Sequence, residues 1–517
     1  MLSNLISFHF KLSSIFLVLA VFFGWLYSMQ LLGSLTPLFD STIARSLHIS
    51  LMLYGFPSLM LSMLPFALFD KDGLESKEGL HYLNLYFIFW YIFLIFMIAA
   101  LLLGNTRGLP FYDFPYELNF ILAISGIFYF ISILKYIKHY EVRPLWVKIS
   151  LFAIAVAPFM LLLLMNPDYG QVEQMELGPH GDNTLGMSFA LLILYYLAIK
   201  LASSIEFKAR FHFLWMIPLG FYILSVLYRS FIGSISYEIE WFLQWLSLLY
   251  VPILYFWFKD AQVSLKENLF LFISILAFLF VDIEGNILFI PELREAFHRN
   301  DLVVGHAHIA VGISMLFLSF AIVKNYFKIS NKSIWTWGAI ILLMSLVLSI
   351  NGFSQAGYIN VSSELMWQLR SFFGASFLIV LLWFYFSSVR LSNISNLRWY
   401  HLIGFLSDGV GGLVLLFFAP FLYAFLQVEF SVGYQMIVFG FMSSVGLIHL
   451  LGFMKKEYED ISAYATIGAR VITSALFFAM FKADVIGWIA LVVGAYDLVY
   501  ALIYIVFLKE KNEIFNR

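Results

Sequence analysis

Apolar runs of about 20 residues, each closed by a short polar or charged stretch, recur along the whole chain. A helix of that length spans the hydrocarbon layer of a bilayer. Sixteen such runs can be read, at about 10–33, 46–69, 82–104, 117–138, 147–166, 185–203, 210–232, 238–258, 266–288, 303–323, 334–353, 365–387, 404–426, 434–453, 466–481 and 484–507. The last two are interrupted by Lys482 and Asp484. Membrane strands would instead leave short alternating segments. The pattern therefore predicts an all-α polytopic protein surrounded by a lipid bilayer.

Charge placement orients these spans. With the N-terminus cytoplasmic, all but seven of the 30 Lys and Arg residues fall on the inner side; the exceptions are Arg45, Arg107, Arg229, Arg294, Arg299, Arg370 and Lys482. Such a bias is the positive-inside rule, and it predicts that both termini are cytoplasmic. The N-terminal MLSNLISFHFK leads into a run too long for a cleaved signal, with no small-residue cleavage site after it, so we read it as the first span. The polar stretch Ser388–Trp399 separates twelve spans from four, dividing the chain into 1–390 and 391–517.

Composition narrows the chemistry. The 517 residues are 62% hydrophobic and 12% charged, against about 25% charged in soluble domains. No cysteine is present, which excludes disulfides, iron–sulfur clusters, thiolate copper centres and covalently attached c-type haem. A net charge of −2 with no basic stripe argues against nucleic acid as a partner.

Most of the eleven histidines fall at interfaces or in loops. Three do not. His306 and His308 begin the tenth span in the string DLVVGHAHIA, and His48 begins the second in ARSLHISLMLYGF. Even-numbered spans enter from the same face, so the three imidazoles lie at similar depth. At about 100° per residue, His306 and His308 project to nearly opposite sides of one helix. Ionisable groups inside a membrane are costly and mark functional sites. Haem ligation is one use: two facing imidazoles for a six-coordinate iron and a third for a five-coordinate one. Histidines bonded to backbone carbonyls are another. A transition-metal or proton transport path, drawing on Asp282 and Glu284 of VDIEGN in the ninth span, is a third.

The string His298-Arg-Asn-Asp-Leu-Val-Val-Gly-His306-Ala-His308 resembles the H-D-x-x-x-V-V-x-H-x-H segment of subunit I of the haem–copper oxidase superfamily, which includes cytochrome oxidases and nitric oxide reductases, with Arg299 where the family carries an acid beside its magnesium or water site. The resemblance covers about residues 10–390 and implies a twelve-helix core, with 391–517 as an addition of about four further helices. It implies that His48 and His308 are the axial pair of a low-spin haem and that His306 is the proximal ligand of a high-spin haem. Two haems, of the b type or a related kind, are the cofactors so implied. Dioxygen or nitric oxide is the implied gas ligand. A cytochrome subunit, a soluble cytochrome or quinol is the implied electron donor. A respiratory oxidoreductase of a bacterial or archaeal-type plasma membrane follows. Arg45 and Arg370 are candidates to meet haem propionates, although snorkelling to the interface is the commoner use of such arginines.

Departures from the family pattern are equally specific. Asn183, beside Asp182, stands where the sixth span of the family carries a copper histidine, and the nearest histidine is His180 upstream. Met187 occupies the place of the tyrosine linked to that histidine, and no His–His pair exists for the seventh span. Copper needs imidazole or sulfur donors, so a three-histidine copper site is not expected. Tyr222 and Tyr228 are the remaining tyrosines of the seventh span. Acids for a proton path are scarce in the core; Asp408, Asp484 and Asp497 belong to the C-terminal spans, so efficient pumping is not expected. Two alternatives remain: a haem-based gas sensor or assembly protein that has lost catalysis, and a metal-ion or proton transporter.

Overall fold

We describe a computed structural model for residues 2–33, 40–109, 112–140, 145–168, 182–206, 212–327, 329–387, 395–426, 431–483, 485 and 487–515. The protein is an all-α polytopic membrane protein, and no strand occurs among these residues. Among the described residues, thirteen helical spans are long and apolar enough to cross a bilayer. Three shorter apolar helices, Val147–Leu163, Leu191–Ala202 and Met216–Arg229, coincide with the fifth, sixth and seventh runs of the sequence. Lys482 closes the helix Glu459–Lys482 rather than interrupting a span.

Several spans are not single helices, and prolines explain two of the breaks. The second span, Ser41–Lys71, is assembled from Ser41–Tyr54, Phe56–Leu61 and Leu64–Lys71. Pro57 and Pro65 each sit in the first turn of the next piece. A proline there lacks only an N–H that a helix start leaves unbonded anyway. Serine hydroxyls cap other starts: Ser76 accepts from the Gly79 N–H at 3.0 Å and Ser330 from the Ser333 N–H at 3.2 Å.

The tenth span, Asp301–Val323, carries the histidine pair and changes winding at it. It is α-helical over Asp301–Ala307 and π-helical over His308–Met315, then α-helical again over Leu316–Val323. Asn300 caps its start, its side-chain oxygen accepting from the Leu302 N–H at 2.9 Å. Glycines let this start lie against Asn331–Gln355. A Cβ on Gly305 would stand 2.9 Å from the Ser345 carbonyl, and one on Gly352 would collide with the Leu302 backbone. That contact fixes the helix rotation, and with it the directions of His306 and His308.

Packing divides the chain into two compact units. One comprises Met1–Leu32 and Ser41–Phe384; the other comprises Gly33–Asp40 and Tyr385–Arg517. The second contains four candidate spans: Asn396–Leu416, Val432–Met454, Lys456–Lys482 and Gly487–Lys509.

Candidate functional site

The first unit brings His48 and His308 face to face. Their ring centroids lie 6.0 Å apart, with 23° between the ring planes. Each ring is steered by its Nδ1. His48 Nδ1 lies 2.8 Å from the Ala20 carbonyl and His308 Nδ1 lies 2.7 Å from the Val304 carbonyl. A carbonyl only accepts, so both Nδ1 atoms carry the proton, and each neutral ring keeps its lone pair on Nε2. This is the tautomer a metal ligand needs, fixed by a second partner in the usual way.

The spacing also suits an iron between the rings. Two metal–nitrogen bonds of about 2 Å, plus about 1 Å from each nitrogen to its ring centre, give roughly 6 Å. Gly24 makes room for the His48 ring. A Cβ there would meet His48 Nδ1 at 2.6 Å and Cε1 at 2.7 Å. The donor set, its protonation and the spacing fit a bis-histidine haem.

His306 turns to a different neighbour. Its Nδ1 lies 3.0 Å from Glu284 Oε2 on Leu269–Leu288, and its Cε1 and Nε2 would touch a Cβ on Gly285 at 3.5 and 4.0 Å. A carboxylate accepting from Nδ1–H leaves Nε2 as the donor atom and raises its basicity. Glu284 and Asp282 therefore do not act as a pair. Asp282 Oδ2 accepts from the Ser247 hydroxyl at 2.8 Å, whereas Glu284 faces His306.

Around these rings lies a polar shell that sequence reasoning only partly found. Arg370 is buried and does not snorkel to the interface: it lies 3.6 Å from Asp301 Oδ1 and over the Tyr27 ring at 5.4 Å. Its neighbour Asp301 draws it inward, because a buried guanidinium needs a counter-charge. Asp301 Oδ2 also accepts from Asn351 Nδ2 at 2.6 Å. Arg45 is half-buried, one turn before His48. Beside a later part of the tenth span, Tyr195 belongs to a separate buried polar cluster that no motif singled out. Its buried hydroxyl meets the Ser274 and Ser314 hydroxyls, both at 2.8 Å; Ser314 belongs to the π-helical turn.

His298 lies apart from the ring pair, at the wall of a cavity of about 610 Å³ that Arg294, Arg299 and Tyr237 also line. Burial, and then the charges of Arg294 and Arg299, hold its imidazole below the usual histidine value. Arg294 and Arg299 outweigh Glu295 in charge along this wall. His180 lies outside the described residues. Asp182 and Asn183 open the helix Asp182–Ala202, but their side chains and that of Met187 lie outside the described set. Tyr222 is half-buried and Tyr228 is exposed.

Fold and site together define a polytopic membrane protein with three half-buried histidines on two of its spans. Among known proteins, no family model matches the chain and no curated protein matches it. A solved structure of a heme-copper terminal oxidase dimer is similar in fold at 14% identity; the match covers 75% of this chain and 83% of that one, with a TM-score of 0.48.

Proposed function

We propose that the chain is a haem-binding membrane oxidoreductase subunit. His48 and His308 hold one low-spin haem, and His306 is the single protein ligand of a second. When bound, such groups supply one-electron transfer and, at the second, a position for dioxygen or nitric oxide. The observation that carries the reading is the facing pair His48 and His308, both with Nδ1 directed to a carbonyl. Glu284 holds His306 in the ligating tautomer and tunes the donor strength of its Nε2. Arg370, paired with Asp301, adds a buried positive group near His48 and His308.

Residues 1–390 form the core of this reading and resemble oxidase subunit I; 391–517 are an extension. Copper is not part of it, because Asn183 replaces the histidine that would begin such a site. Electrons come from a cytochrome subunit, a soluble cytochrome or quinol. Both termini lie in the cytoplasm of a bacterial or archaeal-type cell.

One optical spectrum tests this, taken on purified protein oxidised, reduced, and reduced with carbon monoxide. We expect two haems per chain, one low-spin and one that binds carbon monoxide. His48→Ala should abolish the low-spin signal and spare the carbon monoxide complex. Protein without a Soret band, or a low-spin signal unchanged in His48→Ala, overturns the proposal.

A further inference from the structure

The second unit buries a set of charges that the haem reading does not use. Arg470 joins two carboxylates: its Nη2 lies 2.5 Å from Asp408 Oδ2, and its Nη1 donates to Asp497 Oδ1. All three side chains are nearly inaccessible. The guanidinium also lies over the Tyr500 ring at 3.9 Å and the Tyr496 ring at 5.6 Å. Asp408 sits in a second π-helical turn, Phe405–Val410, and its Oδ1 accepts from the Ser407 hydroxyl at 2.8 Å.

Two carboxylates and one guanidinium leave one negative charge uncompensated. A membrane interior does not tolerate that charge without a partner. The partner can be read from the hydrogen bonds. His401 Nε2 lies 2.8 Å from the Glu459 carbonyl, which only accepts, so this nitrogen carries a proton. Neutral His401 therefore presents a lone pair at Nδ1, 2.8 Å from the Tyr504 hydroxyl, which donates to it. Tyr504 has one proton to give, so its oxygen accepts from His449 Nδ1, also at 2.8 Å. His449 Nε2 then faces Asp408 Oδ2 at 3.3 Å. A neutral His449 would set a lone pair against a carboxylate there. A proton on His449 Nε2 turns the repulsion into an ion-pair attraction and brings the cluster to neutrality.

We propose that Asp408, His449, Arg470 and Asp497 form a membrane-buried site that binds one exchangeable proton, and that Tyr504 passes it between His449 and His401. The transfer balances without any other reactant. The His449 Nδ1–H bond breaks as that proton forms a new O–H bond on Tyr504. The original Tyr504 O–H breaks and its proton forms an N–H bond at His401 Nδ1. One positive charge moves from His449 to His401, and His449 keeps its Nε2–H towards Asp408.

Close packing holds the relay in register. A Cβ on Gly404 would come within 2.5 Å of His449 Nδ1, and one on Gly452 within 2.8 Å of His401 Nε2. The groups facing His449 from the packed helices are Asp408, His401, Tyr500 and Tyr504, with Arg470 one step beyond. The site is independent of the haem reading.

The test uses the full chain in lipid, with isotope-edited infrared and solid-state nuclear magnetic resonance spectra. At neutral pH we expect an imidazolium whose nitrogen is coupled through space to an aspartate carboxyl carbon; this needs no variant. His449→Gln should remove that imidazolium and raise a carboxylic-acid band, which Asp408→Asn in the same background abolishes. Tyr504→Phe should keep the imidazolium but slow its proton exchange tenfold or more. Wild-type protein with neither an imidazolium nor a protonated carboxyl overturns the proposal. So does a carboxylic-acid band in wild type that Asp497→Asn removes and His449→Gln leaves, or unchanged exchange in Tyr504→Phe.

Discussion

In the first unit, His48 and His308 each point Nδ1–H at a backbone carbonyl, which leaves Nε2 unprotonated. In the second unit, His401 directs Nε2 to a carbonyl, so its Nδ1 meets Tyr504, and His449 is left facing a carboxylate. The residue type is the same and the membrane environment similar. What differs is which ring nitrogen meets the backbone and what stands at the other one. A histidine whose Nε2 keeps its lone pair can serve as a metal ligand. With an aspartate beyond it, a histidine is a place for a proton.

The sharpest way to break this comparison is to remove the central cation of the second site. Arg470→Leu leaves Asp408 and Asp497 buried without their shared partner. Truncating one member of a buried ion pair costs about 3–5 kcal/mol. We expect the C-terminal helices to lose protection from proteolysis while the spectrum assigned to His48 and His308 persists. A spectrum lost in parallel would mean that the two sites fold as one.

How much of this could be read beforehand differs between the sites for a physical reason. The spans, His48 and the pair 306/308 follow from local pattern, because hydropathy and helical period act over a few residues. Glu284 stood out only as a costly acid in VDIEGN. Its pairing with His306, 22 residues away, depends on how Leu269–Leu288 lies against the tenth span, where Gly285 faces the His306 ring. The Arg470 network is less legible still. It joins positions 408, 449, 470 and 497 on four helices, and Arg470 reads in sequence as one more inner-side cation. Neither π-helical turn has a pattern distinct from the α-helix around it.

A smaller perturbation sharpens the ligand side. Gly24→Ala places a methyl group 2.6 Å from His48 Nδ1, so the ring must turn or move. Overpacking of this kind costs about 1–3 kcal/mol. We expect the low-spin signal to shift or weaken, with the carbon monoxide-binding signal unchanged. An unaltered low-spin signal would mean that His48 is not held where the ligand reading needs it.

Glu284→Gln asks whether a carboxylate matters at the first site as it does at the second. The amide still accepts from His306 Nδ1–H, so the tautomer is kept, but the charge is lost. Partners one step removed from a metal change affinity or activity by about 10- to 100-fold. We expect a shift of that order in carbon monoxide affinity at the His306 site and none in the His48/His308 signal. Equal shifts at both would remove the distinction between the two histidines.

The mildest effect separates the pH response of the buried proton site from that of the membrane edge. Lys324, just past the end of Asp301–Val323, has its ammonium pushed down to about 8 by burial, against the opposing pull of Glu267. Its Nζ donates to the Glu267 carbonyl at 2.7 Å and to Asn268 Oδ1. The folded value lies below the free value of 10.5. Between about 8 and 10.5 the unfolded chain therefore binds more protons than the folded one, and stability rises with pH across that window. Below about 8 both states are charged and Lys324 contributes no pH dependence. The side chain is partly solvated, so screening reduces the gain to about 1 kcal/mol. Amine-selective labelling should show a midpoint for Lys324 near 8, and Lys324→Gln should abolish the alkaline rise in stability. A pH response that survives below 8 in Lys324→Gln then belongs to other groups, and its loss in His449→Gln would assign it to the second unit.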